Sequence, residues 1–109
     1  MKLILCNIVI IIYRYGAQHP IIVHSDSTST AKYVVVGHCC ESGDLFTCAP
    51  GDPELLQERE LQVAQIGDIV SIEAAGAYCA SMSTKNYNSF PEAPEVLLGI
   101  DGQLRLIRR

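Results

Sequence analysis

The chain has 109 residues, which is enough for one domain with a single modest core. Its formal net charge is −4 and its sequence pI is about 5.2, and the sparse lysines and arginines form no basic face, which argues against a nucleic-acid partner. The five cysteines are an odd number without the regular spacing of a secreted disulfide framework, which predicts reduced thiols in a cytoplasmic protein.

The amino-terminal segment is the most apolar part of the chain. The run from Leu3 to Ile12 is interrupted by Asn7 and is too short to span a bilayer as a helix. Lys2 followed by an apolar run resembles the front of a signal peptide, but no small-residue cleavage site follows. We expect a buried segment of a larger fold, with a signal peptide, a membrane anchor or an artefactual start as the alternatives.

Short β-branched runs separated by turn residues dominate the rest of the chain. Each run has the length and composition of one strand. The turns between them are equally clear, and the pair Asp101–Gly102 between apolar residues predicts a hairpin. The predicted strands are "PIIVH" (20–24), "YVVVG" (33–37), "DLFTC" (44–48), "GDIVSIEA" (67–74), "PEVLLGI" (94–100) and "QLRLIR" (103–108).

One stretch, "PELLQERELQVAQ" (53–65), has a possible helical spacing. Leu55, Leu56, Arg59 and Val63 could share one face, but the stretch is short and rich in Glu and Gln. We predict a loop with one or two helical turns there. The sequence as a whole predicts a single, mainly β domain, a barrel or a sandwich, over residues 1–109.

The stretch "GHCCESGD" (37–44) places polar groups where an apolar run ends. In a continuing strand Cys39 and Cys40 would face opposite sides, and spaced zinc ligands of the C-x-x-C type are absent, so neither a working thiol pair nor a metal site is expected. Glu41, Ser42 and Asp44 follow, as at a site built on the rim of a β-scaffold. A solvated polar turn explains the same residues, and both interpretations stay open at this point.

A second unusual stretch, "GAYCASMSTKNYNSFPEAPEVLL", runs from Gly76 to Leu98. The small residues before Tyr78 allow the backbone to approach a ligand or partner closely while the tyrosine projects. The following run of Ser, Thr, Lys and Asn is too polar for a core. An ordinary surface loop is the alternative.

Together with "YGAQHPI" (15–21), these motifs resemble the C-terminal β-domain of the diaminopimelate decarboxylases. These are pyridoxal-phosphate enzymes of fold type III, which join an alanine-racemase-like (β/α)8 barrel to a β-domain. "CESGD" favours this family over its ornithine-decarboxylase relatives. The family pattern, close to G-P-x-C-E-S-x-D, aligns with Cys40, leaving Cys39 at a variable position and His38 in place of the usual proline.

The resemblance implies decarboxylation of meso-2,6-diaminopimelate to L-lysine with pyridoxal 5′-phosphate as the cofactor. In that family the cysteine matching Cys40 donates the proton that replaces the lost carboxylate, which suits a thiol because it is protonated at neutral pH and yet gives up its proton readily. Glu41 and Tyr15 would bind substrate, and Tyr78 would contact substrate and the cofactor phosphate. Asn86, Tyr87 and Asn88 would shape the loop or a subunit contact.

The resemblance also implies partners that this chain lacks. The Schiff-base lysine belongs to the family's barrel, and Lys2, Lys32 and Lys85 have no matching context. The family's active site lies between subunits of a homodimer, so Cys40 and Glu41 would serve the partner's barrel. We therefore predict that the chain is inactive alone, and that it is a fragment or split-gene product of the enzyme.

Two features leave alternatives open. The family carries an arginine four residues before the tyrosine matching Tyr15, whereas Ile11 stands there, so residues 1–14 look divergent or artefactual. The chain could also belong to a decarboxylase of another basic amino acid or polyamine precursor, or be a non-catalytic interaction module.

Overall fold

The computed structural model describes residues 2–3, 16–76, 78–83 and 85–108, and its regular elements are almost all strands. The predicted mainly β fold is confirmed. Tyr15 and the apolar run beyond Leu3 lie outside the described residues. The elements are β1 (Lys2–Leu3), β2 (Ile21–His24), β3 (Thr30–Tyr33), β4 (Cys48–Ala49), β5 (Asp52–Leu56), β6 (Arg59–Gln62), β7 (Ile69–Ile72), a 3₁₀ turn (Tyr87–Ser89), β8 (Glu95–Leu98) and β9 (Leu104–Arg108).

A three-stranded sheet in the order β1-β7-β2 contributes Ile21, Val23 and Val70 to the core. β7 pairs in parallel with β1 and antiparallel with β2, where Val70 lies opposite Val23 and Ile72 lies opposite Ile21. In β2 burial alternates along the strand: Ile21 and Val23 are buried, and Ile22 and His24 are exposed. This period of two is what the β-branched run predicts for a strand with one face on the core.

Three two-stranded antiparallel ladders complete the fold: β3 with β6, β4 with β5, and β8 with β9. The β8–β9 hairpin turns at Asp101–Gly102 as predicted. Gly102 has a φ of 74°, in the left-handed region that glycine enters without steric cost. Gly99 N–H donates to the Gln103 carbonyl at 2.9 Å and closes the turn.

The helical prediction for residues 53–65 was wrong. Those residues form β5 and β6, and in β6 burial alternates with a period of two, with Arg59 and Leu61 more buried than their neighbours. β6 pairs with β3 over Thr30–Tyr33, so its backbone hydrogen bonds are made across strands. Pairing with distant segments therefore overrides the weak local helical spacing.

The core continues under the segments that flank residues 38–43. The buried apolar residues pack as one cluster, and Thr47 is fully buried beside them. Thr47 Oγ1 accepts a hydrogen bond from Val35 N–H at 2.9 Å. The segments predicted as strands 33–37 and 44–48 thus lie side by side, although they meet through an isolated bridge and not through full strands. The cluster is Ile21, Val23, Val35, Phe46, Cys48, Val70 and Cys79.

Within the residues that the structure describes, no helix is long and apolar enough to cross a membrane.

Candidate functional site

Residues 38–43 form a loop whose base is closed by backbone pairing. Gly37 N–H donates to the Asp44 carbonyl at 2.8 Å, and Phe46 N–H donates to the Val35 carbonyl at 2.9 Å. An isolated antiparallel bridge joins Val36 to Leu45 between these two contacts. Since Val35 and Phe46 are buried in the core, the loop is held on a fixed base and projects its own residues outward.

The Asp44 side chain organises the loop from inside. Asp44 is 4% exposed, and its Oδ2 accepts the Cys39 backbone N–H at 2.7 Å. A Cβ added to Gly37 would lie 2.0 Å from both Asp44 carboxylate oxygens. Glycine at position 37 is therefore what lets the carboxylate lie against the opposite side of the loop.

The two adjacent cysteines have different environments. Cys39 is half-buried, and burial, together with the charge of the neighbouring Asp44 carboxylate, raises the pKa of its thiol. Cys40 is exposed, and the thiols of both residues are free. The two residues therefore differ in exposure and in local charge, and the interpretation that their thiols do not act as one pair stays a prediction.

A second segment, residues 85–90, packs against the loop. The Asn88 Oδ1 accepts the Cys40 backbone N–H at 3.4 Å, and the Asn88 Nδ2 donates to the Cys40 Sγ at 3.6 Å. The rings of Phe90 and His38 meet edge to face, with centroids 3.8 Å apart. The 3₁₀ turn at Tyr87–Ser89 is thereby brought next to the loop that carries Cys40 and Glu41.

The acidic groups of the loop shift the pKa of the nearby Tyr87 phenol. Partial desolvation and the nearby Glu41 carboxylate raise the pKa of Tyr87, and the thiols of Cys40 and Cys39 act in the same direction. A phenol is protonated at neutral pH in any case, and the shift moves it further from ionisation. Glu41 and Tyr87 therefore offer one carboxylate acceptor and one neutral hydroxyl.

The predicted site residues divide into three groups by position. Cys40 and Glu41 lie next to each other on the exposed part of the loop. Tyr78 lies in a separate turn, where it is 62% exposed with a φ of 68°, and its carbonyl accepts Met82 N–H at 2.9 Å. Tyr15 lies outside the described residues.

The motif at residues 16–21 has a structural function in its described part. Gln18 Nε2 donates to the Cys48 carbonyl at 3.2 Å, and Arg59 donates to the His19 carbonyl at 2.7 Å. His19 is buried, and its Nδ1 donates to the Glu73 carbonyl at 3.1 Å. These contacts connect the entry of β2 to β4, β6 and the end of β7.

Two residues shape the site in ways that the sequence did not specify. The sequence predicts the Asp44 carboxylate at the rim, but Asp44 is buried and its side chain holds the loop backbone. The family resemblance assigns Asn88 to shaping the loop or a subunit contact, and the two contacts of Asn88 with Cys40 join positions 48 apart in the chain. No periodicity in the sequence indicates a contact of that separation. The left-handed preference of asparagine in "NYN" is the one local signal of a tight turn.

Comparison with known proteins places this geometry in context. The family described as the C-terminal sheet domain of pyridoxal-dependent decarboxylases matches residues 6–76. Diaminopimelate decarboxylase of Escherichia coli K12 is 45% identical over 101 residues, which cover 87% of this chain and 23% of that protein. The enzyme of the same name from Buchnera aphidicola subsp. Baizongia pistaciae is 42% identical over 102 residues, with the same two coverages.

A solved structure is similar over nearly the whole chain. A crystal structure of diaminopimelate decarboxylase superposes with a TM-score of 0.80 at 41% identity, covering 94% of this chain and 25% of that one. The chain thus spans about a quarter of the length of the proteins it matches.

Proposed function

The chain belongs to the family of pyridoxal-dependent decarboxylase C-terminal sheet domains, and from this premise we propose that it is the C-terminal domain of a cytoplasmic diaminopimelate decarboxylase. The proposed reaction converts meso-2,6-diaminopimelate to L-lysine and carbon dioxide. The observation that carries the proposal is the loop at 38–43, which presents Cys40 and Glu41 side by side on a buried base, in a chain 45% identical to an enzyme of that name.

The described residues offer a contact for the phosphate of pyridoxal phosphate, and the lysine that would bind the cofactor covalently is assigned elsewhere. The exposed Tyr78 hydroxyl is available to donate a hydrogen bond to the cofactor phosphate. Lys85 pairs with Glu92 at 2.9 Å, and the exposed Lys32 lies 3.9 Å from Glu58. We assign the covalent link to the cofactor to a (β/α)8 barrel on another polypeptide or another part of the protein.

Cys40 would hold the proton that completes the reaction. The cofactor, when bound, supplies an electron sink for breaking the bond between the α-carbon and the carboxylate. The Cys40 Sγ then gives its proton to the α-carbon as carbon dioxide leaves, and the thiolate recovers a proton from solvent. Its exposure suits this function, because the thiol must reach a substrate held by another domain.

Glu41 would select the far end of the substrate. Meso-diaminopimelate carries an ammonium group at that end, and a carboxylate accepting a charge-assisted hydrogen bond distinguishes it from a neutral chain. Tyr78 and Tyr15 would contribute hydroxyls to substrate binding. We assign the complementary barrel to the partner subunit of a homodimer, so that this loop completes the partner's site.

The proposal is tested by reconstitution. The purified chain is mixed with the barrel domain of the E. coli enzyme, pyridoxal phosphate and meso-diaminopimelate, and carbon dioxide release is followed. The mixture should be active and the isolated chain inactive. Cys40→Ala should lower turnover by about 10²-fold or more, as expected for loss of a positioned proton donor.

The matched control is Cys39→Ala, which removes the neighbouring thiol and should change turnover by less than about threefold, since the Cys39 thiol is turned toward Asp44 and alanine keeps the backbone N–H that Asp44 accepts. Equal losses from both substitutions would refute the assignment of Cys40. A folded mixture that decarboxylates ornithine or arginine but not meso-diaminopimelate would replace the proposed substrate, and an inactive mixture would contradict the proposed function.

A further inference from the structure

The side chain of Asn88 contacts Cys40 at two points. Its Oδ1 accepts the Cys40 backbone N–H at 3.4 Å, and its Nδ2 donates to the Cys40 Sγ at 3.6 Å. One amide group therefore restrains both the main chain and the thiol of the same residue. The first contact fixes where the loop backbone lies, and the second fixes the direction of the sulfur.

The turn that carries Asn88 is built to hold this orientation. Asn86, Asn88 and Ser89 all have positive φ angles, of 60°, 51° and 61°. Asparagine tolerates the left-handed region better than most residues. Phe90, two residues on, contacts His38 on the other side of Cys40, so the turn meets the loop both before and at the cysteine.

We infer that Asn88 is a positioning residue for the Cys40 thiol. This inference rests on the proposed function for its catalytic consequence: Asn88 acts through the Cys40 Sγ and not on the substrate, and it directs that sulfur toward the place where the α-carbon needs its proton. An amide N–H pointed at sulfur also stabilises the thiolate left after proton transfer, because hydrogen bonding to a charged form favours that form.

Two variants separate the two contacts. Asn88→Asp keeps an oxygen that accepts the Cys40 N–H and replaces the amide donor with a carboxylate beside the sulfur. Asn88→Ala removes both contacts. Each is made in the full chain, and the rate at which iodoacetamide alkylates Cys40 is followed by peptide mass spectrometry at a fixed pH of about 7.5, where thiolate character controls the rate.

Asn88→Asp should slow Cys40 alkylation by about three- to tenfold, because a like charge disfavours the thiolate. In the reconstituted enzyme, both variants should lower kcat by about tenfold or more while KM stays within about threefold, since proton donation and not substrate binding is affected. The matched control is Asn86→Gly, which removes the neighbouring asparagine side chain but keeps a residue that adopts the left-handed backbone freely, and it should leave both the alkylation rate and kcat near wild type.

The inference is overturned if Cys40 is alkylated at the wild-type rate in Asn88→Asp, or if Asn86→Gly reproduces the effects of Asn88→Ala. The alkylation measurement needs neither cofactor nor barrel. A failed reconstitution would therefore count against the proposed function alone, whereas an unchanged alkylation rate would count against the positioning of the thiol alone.

Discussion

At the scale of single residues, the structure gives the two adjacent thiols different environments. Cys39 is turned toward the buried Asp44 carboxylate, and burial together with that charge raises the pKa of its thiol. Cys40 is exposed, and its Sγ accepts a hydrogen bond from the Asn88 amide. The letters "CCES" alone are equally consistent with a solvated turn. The family resemblance selected Cys40 and Glu41, and the burial of Asp44 could not be predicted because it depends on a carboxylate packing against Gly37.

The Gly37–Asp44 contact makes a prediction about stability. Gly37→Ala places a methyl group 2.0 Å from both carboxylate oxygens, so the loop base has to shift. We expect the free energy of unfolding to fall by about 1–3 kcal/mol, the usual cost of overpacking. Urea denaturation followed by circular dichroism measures it.

Gly76→Ala is the matched control for Gly37→Ala. An added Cβ at Gly76 meets nothing within 4 Å, so the change should stay within about 0.5 kcal/mol. Similar losses for both alanine variants would mean that the carboxylate contact does not constrain the loop.

At the scale of elements, the sequence predicted β2, β7 and the β8–β9 hairpin with its Asp101–Gly102 turn, and it missed β3, β5 and β6. The predicted strands at 33–37 and 44–48 meet only through an isolated bridge. In β6 and the residue after it a period-two signal was present in Arg59, Leu61 and Val63, but the density of Glu and Gln obscured it. The partners that make β5 and β6 strands are β4 and β3, and β3 lies some thirty residues earlier in the chain. Local patterns carry no information about such pairings.

An ion-pair group connects the segment at 85–90 with β9, and it predicts a dependence of stability on pH. Glu92 lies 2.9 Å from both Lys85 Nζ and Arg108 Nη1. Hydrogen bonding to Lys85, with the Arg108 charge beside it, lowers the pKa of Glu92 below its ordinary value of 4.5. The carboxylate therefore stabilises the fold above that value, and the stabilisation is lost as pH falls through the lowered pKa.

Glu92→Gln should accordingly lower the thermal midpoint at pH 7, and the difference from wild type should shrink as pH is lowered below about 4. Differential scanning fluorimetry over a pH series tests this. Glu58→Gln is the control, because its pair with Lys32 spans 3.9 Å between exposed side chains and should contribute little at any pH. A Glu92 difference that is constant with pH would contradict the assignment.

At the scale of the whole molecule, the core is small, and the apolar residues of the β8–β9 hairpin lie outside it. Val96 lies opposite Leu106 and Leu98 opposite Leu104, so four apolar side chains share one face of the β8–β9 hairpin. All four are at least half exposed, with Leu98 at 65% and Leu104 at 72%. A contiguous apolar face of this kind favours association.

We expect the isolated chain to self-associate as its concentration rises, as measured by multi-angle light scattering. Replacing Leu98 and Leu104 together by threonine, which keeps β propensity, should reduce the association. Ile66→Thr is the control, because Ile66 is 97% exposed but lies in a turn away from this face. Unchanged association in the double variant would place the contact elsewhere.

The backbone closure between Gly37 and Asp44 has a consequence for the assembly proposed above. The loop that carries Cys40 takes its shape from contacts within this chain, so little conformational entropy would be lost at the loop when the barrel docks. We expect the loop to have the same conformation before and after docking.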